Sequence, residues 1–156
     1  MKIARIVFLA SASLLGACGG GYSPDSIIDQ APQGLMEGAD WTMVSAVVTD
    51  DGDSLDVKLY PIEVEPCDSF ASTDSSIIFS VPKQEGERPL NFSFGDLANS
   101  QTITFVPSPG SNIIASQGLI VIEALSAEEV TMGLVADADD SSINGRFTTA
   151  VCPDPF

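Results

Sequence analysis

From Trp41 to Cys152, apolar side chains recur at every second position in short runs. That period puts them on one face of extended chain, where a helix would need a repeat near 3.6. Leu55, Val57 and Leu59 alternate with Asp56, Lys58 and Tyr60, and Val130, Met132 and Leu134 alternate with Thr131 and Gly133. A last strand is expected from Ile143 to Cys152, with Phe147, Thr149 and Val151 on one face. Strands are also expected at Ile77 to Val81, Leu90 to Phe94 and Thr102 to Val106. Trp41 to Val48 is rich in β-formers and runs into a turn at Asp50-Asp51-Gly52-Asp53. Leu119 to Leu125 is an apolar run, as expected of a central strand buried on both faces. Beyond Pro61, Ile62 and Val64 extend the Leu55 run as a bent edge strand. Short strands separated by Gly, Pro, Asn and Asp predict an all-β fold, a single antiparallel β-sandwich or barrel-like domain. Helical signals are local: Ser126-Ala127-Glu128-Glu129 has capping-box form, and Asp96 to Asn99 has room for one turn.

The start of the chain is of a different kind. Lys2 and Arg5 precede an apolar stretch from Ile6 to Leu15, the layout of an export signal. A spanning helix needs about 20 apolar residues, so this stretch is too short to cross a bilayer permanently. It ends in Leu15-Gly16-Ala17-Cys18, which resembles the lipobox of bacterial lipoproteins. The resemblance implies that residues 1–17 are a cleaved signal peptide. It also implies that Cys18 becomes the acylated (palmitate-bearing) N-terminus and that the rest lies outside the cytoplasm. Acyl chains contribute about 0.8 kcal/mol per buried CH₂, so a multiply acylated cysteine holds a soluble domain on a membrane. In such lipoproteins an Asp after the cysteine marks inner-membrane retention; Gly19 stands there, which implies the outer membrane. Residues 18–40, with Gly19 to Gly21, Pro24 and Pro32, read as a flexible tether ahead of a domain at 41–156. Within that tether Ile27, Ile28, Leu35 and Met36 are able to dock locally. The closing segment Asp139 to Cys152 also resembles the end of small uncharacterised lipoproteins of Gram-negative bacteria, a likeness that implies no activity.

With Cys18 taken by lipid, Cys67 and Cys152 remain, an even pair in an oxidising compartment, and they are expected to form a disulfide. They lack the Cys-x-x-Cys spacing of a redox pair.

Charge narrows the partners. Without Lys2 and Arg5, four basic residues face 22 acidic ones, a formal charge of −18. Nucleic acid is therefore excluded as a partner, because phosphate contact needs basic side chains. The expected contacts are the membrane, through the lipid, and a protein or glycan, with the chain acting as a monomer.

Catalytic chemistry is poorly supplied. The chain has no histidine, which removes Ser-His-Asp catalysis and imidazole-based metal sites. Ser80-Val81-Pro82-Lys83 has the Ser-x-x-Lys spacing of penicillin-binding proteins, yet that motif places the lysine one helical turn from the serine. Here Pro82 falls between them where a strand is expected, and the partner motifs are missing. No enzyme is expected. Two acidic loops are the candidate metal ligands: Asp50, Asp51, Asp53 and Asp56, and then Asp137, Asp139 and Asp140. Calcium takes six to eight oxygens and suits Asp-rich loops between strands. Asp137-x-Asp139-x-Ser141 starts like an EF-hand loop, but Ser142 and Thr148 stand where that loop needs glycine and glutamate. Two functional readings stay open: a tethered non-enzymatic interaction or structural module without cofactor, and a calcium-dependent module binding carbohydrate or protein.

Overall fold

The computed structural model describes residues 21–68 and 73–153, so the signal segment and Cys18 lie outside the described residues. Eleven strands follow in chain order: β1 (Gln33–Met36), β2 (Ala39–Thr42), β3 (Ser45–Asp51), β4 (Ser54–Tyr60), β5 (Ser76–Pro82), β6 (Gly86–Pro89), β7 (Ile103–Val106), β8 (Ile113–Ala115), β9 (Gln117–Leu125), β10 (Glu129–Ala138) and β11 (Ser141–Pro153). They form one curled sheet in the order β6-β9-β10-β11-β3-β4-β5-β7-β8. Strand β1 pairs the first part of β11, and β2 pairs β1. The fold is all-β and barrel-like. Its pairings are antiparallel except one: Val151–Pro153 of β11 runs parallel to Val48–Asp50 of β3.

Alternation drives the curl, because each strand offers one apolar face and the faces converge on a shared core. Val48, Leu55, Leu59, Ile77, Ile103, Phe105, Ile120, Met132, Leu134 and Ile143 are all essentially inaccessible to solvent. They belong to one continuous cluster drawn from both halves of the sheet. Where the sheet's two margins approach, Asn91 and Gln101 form an isolated antiparallel bridge.

Strand β9 is buried on both faces from Gly118 to Ile122, while Glu123 and Ala124 in the second part of the expected run are exposed. Ile120 and Ile122 point into the core, while Leu119 and Val121 lie under Ile27 with Val135. The cover on that outer face comes from the stretch expected as a flexible tether, and this corrects the tether reading from Tyr22 onward. Ile27 is buried, and Asn144 brackets it by accepting from the Ile28 N–H and donating to the Ser26 carbonyl, both at 2.9 Å. Arg146 reaches out of β11 to the same segment. Its Nε donates to Glu123 Oε1 at 2.7 Å, and its terminal nitrogens donate to the Ile27 and Pro24 carbonyls. The segment then continues as β1 and β2. Replacing Arg146 with Leu is expected to cost roughly 1–3 kcal/mol, the range for hydrogen bonds to charged groups. Amide exchange at Ile27 and Ile28 should rise more than at β4; unchanged protection there would show that the apolar contact alone holds the segment.

Other expectations also give way. Strand β4 is flanked by β3 and β5, so it is interior, and Ile62 to Glu65 is not a strand. Pro61 offers no N–H to continue pairing, and the chain must leave the sheet to reach Cys67. The strand expected at Leu90 to Phe94 is β6, displaced to Gly86–Pro89, with the phenylalanines beyond it. The capping residues at Ser126 make a hairpin turn: Ser126 Oγ accepts from Glu129 N–H at 2.9 Å while Val130 pairs with Leu125. Cross-strand burial outweighs the local helix signal.

Candidate functional site

Large exposed apolar side chains among the described residues include Ile28, Leu35, Val44, Ile62 and Ile114, and three more, Phe92, Phe94 and Leu97, fall in one loop between β6 and β7. Leu90 is buried as the last anchor of the β6 segment, its N–H donating to the Gly118 carbonyl at 2.9 Å. Asn91 and Gln101 then exchange backbone hydrogen bonds of 2.8 and 3.0 Å, closing the base of a loop. Gln101 Nε2 ties that base to the Ser80 carbonyl of β5 at 2.7 Å. Inside the loop a small network of local hydrogen bonds links Ser93, Asp96, Asn99 and Ser100. Asp96 N–H donates to the Ser93 carbonyl, Ser93 N–H to Ser100 Oγ at 3.1 Å, and Ser100 Oγ to the Asp96 carbonyl at 3.1 Å. Asn99 Nδ2 reaches both Asp96 carboxylate oxygens, at 2.9 and 2.8 Å, across a 3-10 turn at Leu97–Asn99.

Because its ends meet and its own side chains bond its backbone, this is a compact Ω-type loop. Its apolar residues face outward. Phe94 is 89% exposed, Leu97 63% and Phe92 39%. The two rings meet edge to face at 4.7 Å, an arrangement favourable for aromatic pairs. Beside the loop, on the outer faces of β4, β5 and β7, lies a shallow trough of about 400 Å³ of mixed lining, among it Asp56, Lys58, Ile78, Ser80, Gln101 and Thr104. A second hollow of about 620 Å³ adjoins it at Asp53, Arg88, Asn91 and Asn99. Sequence reading missed the loop as a site, since Leu90, Phe92 and Phe94 alternate like a strand. The signal against a strand was Gly95-Asp96, a turn pair directly after the second phenylalanine.

The expected acidic loops are splayed. Asp50 is engaged by Lys83, whose Nζ lies 2.5 Å from Asp50 Oδ2, and by the Gly52 N–H. The Lys83 hydrogen bond holds the Asp50 carboxyl below its ordinary value. Its contribution is present above the ordinary carboxylate pKa and fades as pH falls through the lowered one. Asp51 and Asp53 sit exposed in the β3–β4 turn, and Asp56 stands on the outer face of β4 opposite Ser80. At the other loop Asp137 accepts from the Tyr22 hydroxyl at 2.6 Å, and Asp139 and Asp140 make the β10–β11 turn. Among the described residues no three acidic or thiol side chains converge as a metal cage. The Ser80–Lys83 spacing is likewise dispersed, with Ser80 in β5 and Lys83 turned to Asp50.

Tyr22 has its hydroxyl pKa raised above 10.0, first by the hydrogen bond to Asp137, then by burial and the charge of Asp137. A raised tyrosine pKa means the contact is complete below the unfolded value and lost as pH rises through the folded one. Burial, with the charge of Asp68, also raises Tyr60, so ultraviolet titration should show both tyrosines ionising late, and Asp137→Asn should bring one of them earlier. Equal titration in both proteins would remove the contact.

The expected disulfide is present: Cys67 and Cys152 are bonded, with Cα atoms 5.5 Å apart. Fold and site together define a disulfide-closed, all-β domain that displays a compact loop with exposed apolar residues. Compared with known proteins, the chain matches no family model, no curated protein and no solved structure.

Proposed function

We propose that this chain is a lipid-anchored envelope protein of a bacterium, held in the outer membrane through Cys18, whose domain acts as a monomeric, non-enzymatic binding module. The loop from Asn91 to Gln101 carries the reading of the domain's task. Exposing two phenylalanines and a leucine on a highly acidic protein forfeits burial worth about 1.5–3 kcal/mol per large side chain, which a contact partner would recover. The internal hydrogen bonds of the loop support a binding role further, since a preorganised surface loses little entropy on contact. Anchorage is supported by Leu15-Gly16-Ala17-Cys18 after an apolar stretch of export length.

Metabolic labelling with palmitate in a Gram-negative host tests the anchor. The full chain should take up label and fractionate with the outer membrane, and Cys18→Ser should lose both. Label that persists in Cys18→Ser, or a wild-type product found soluble and unlabelled, would sink the reading.

A further inference from the structure

We propose that the Asn91–Gln101 loop is a second membrane contact, inserting Phe94 and Leu97 at the headgroup–acyl boundary of the bilayer that holds Cys18. The inference rests on the lipid-anchor reading and deepens it by naming the loop's partner as the lipid surface itself.

Chain length carries the first step. Because Tyr22 is docked on Asp137 and Ile27 is buried on β9 and β10, residues 22–40 give no slack. Only Gly19, Gly20 and Gly21 separate the acylated residue from the docked chain. Four Cα steps span at most about 14 Å. The end of the sheet that bears Tyr22 is thus held against the membrane rather than lifted off it.

Topology carries the second step. Asp137 of β10 pairs with Gln117 of β9, and the next residue, Gly118, accepts from Leu90, directly before the loop. Neighbouring strands lie about 4.8 Å apart, so the loop base stands roughly 10 Å from the Tyr22 anchor point, at the same end of the sheet. The β9–β10 turn at Ala127 marks the opposite end, roughly 30 Å away along the nine residues of β9.

The loop's chemistry carries the third. Polar groups entering an interface must bring their partners with them. Asp96, the one charged side chain of the loop, has both oxygens on Asn99, and the Ser100 hydroxyl links the Ser93 N–H to the Asp96 carbonyl. Phe and Leu at the tip are residues that bury at the acyl boundary. Glu37, Asp137, Asp139 and Asp140 at the same end repel anionic headgroups, so the surface is a zwitterionic one.

The test uses the full, acylated protein purified from membranes and placed on phosphatidylcholine vesicles with brominated acyl chains, which quench nearby tryptophan. Trp41 is buried and supplies a constant background. In Phe94→Trp the added emission should fall by roughly half relative to unbrominated vesicles, whereas Ala127→Trp should keep its emission. Replacing part of the lipid with phosphatidylglycerol should weaken the quenching at position 94. Equal quenching at both positions, or none at position 94 in protein that remains on the vesicles, overturns the loop contact and leaves the anchor reading standing. Protein that leaves the vesicles and carries no acyl mass on Cys18 overturns both.

Discussion

Replacing Cys67 and Cys152 together with serine should lower the stability of the domain by about 4–5 kcal/mol, the chain-entropy value for a loop of this length. The bond spans 85 residues and takes in β5 through most of β11, so the unfolded chain gains wide freedom when it is cut. Cys152 is buried, and its strand partner is Thr49 in the lone parallel pairing, between β11 and β3. Parallel pairing over three residues offers few hydrogen bonds of its own, so the bridge is what keeps the end of β11 beside β3. A thermal melt followed by Trp41 fluorescence should shift down by on the order of 15 °C in the double variant, and equally in wild type under reductant. A shift of only a few degrees would mean that the β11–β3 contact holds without the bond.

Gly145→Ala should cost on the order of 4 kcal/mol from backbone strain and overpacking combined. Gly145 sits in β11 at φ +155°, and a Cβ there would come within 2.5 Å of the Pro32 backbone. Pro32 belongs to the chain crossing β11 just before β1. A methyl group would push that crossing away and loosen the Gln30 carbonyl, which accepts from the Arg146 N–H at 2.7 Å. Urea unfolding should show a lowered midpoint, with faster amide exchange in β1 and β2. A midpoint equal to wild type would show that the crossing shifts at no cost.

These two predictions concern features that were unequally legible. Pairing of Cys67 with Cys152 followed from cysteine number and compartment, because two half-cystines allow one connectivity. The crossing at Gly145 did not. Gly145 lies inside a run with clear strand alternation, and no local rule says that another segment lies across it. The apolar loop was hidden for a related reason: Leu90, Phe92 and Phe94 have strand spacing, but only Leu90 finds a neighbouring strand. Strand identity beyond that point depended on a partner that the fold does not provide.

Period-two alternation, by itself, determined that the chain folds as β-structure around one core, since one apolar face per strand has to be covered by another. The uniform apolar run at Leu119 to Val121 likewise required cover on both faces. Charge and the absence of histidine bounded the chemistry before any coordinates. What the tertiary structure alone decided was which segment provides each cover and where the chain's entrance lies. In residues Tyr22 to Ile28 the sequence offers Ile27 and Ile28 for local docking but not the place where they dock, and Ile27 is held because Val121, Val135 and Arg146 meet the segment. The acidic loops show the converse. Their carboxylates are close in sequence, yet alternation along a strand and the splay of a turn direct them apart, and nearness along a chain does not convey direction in space.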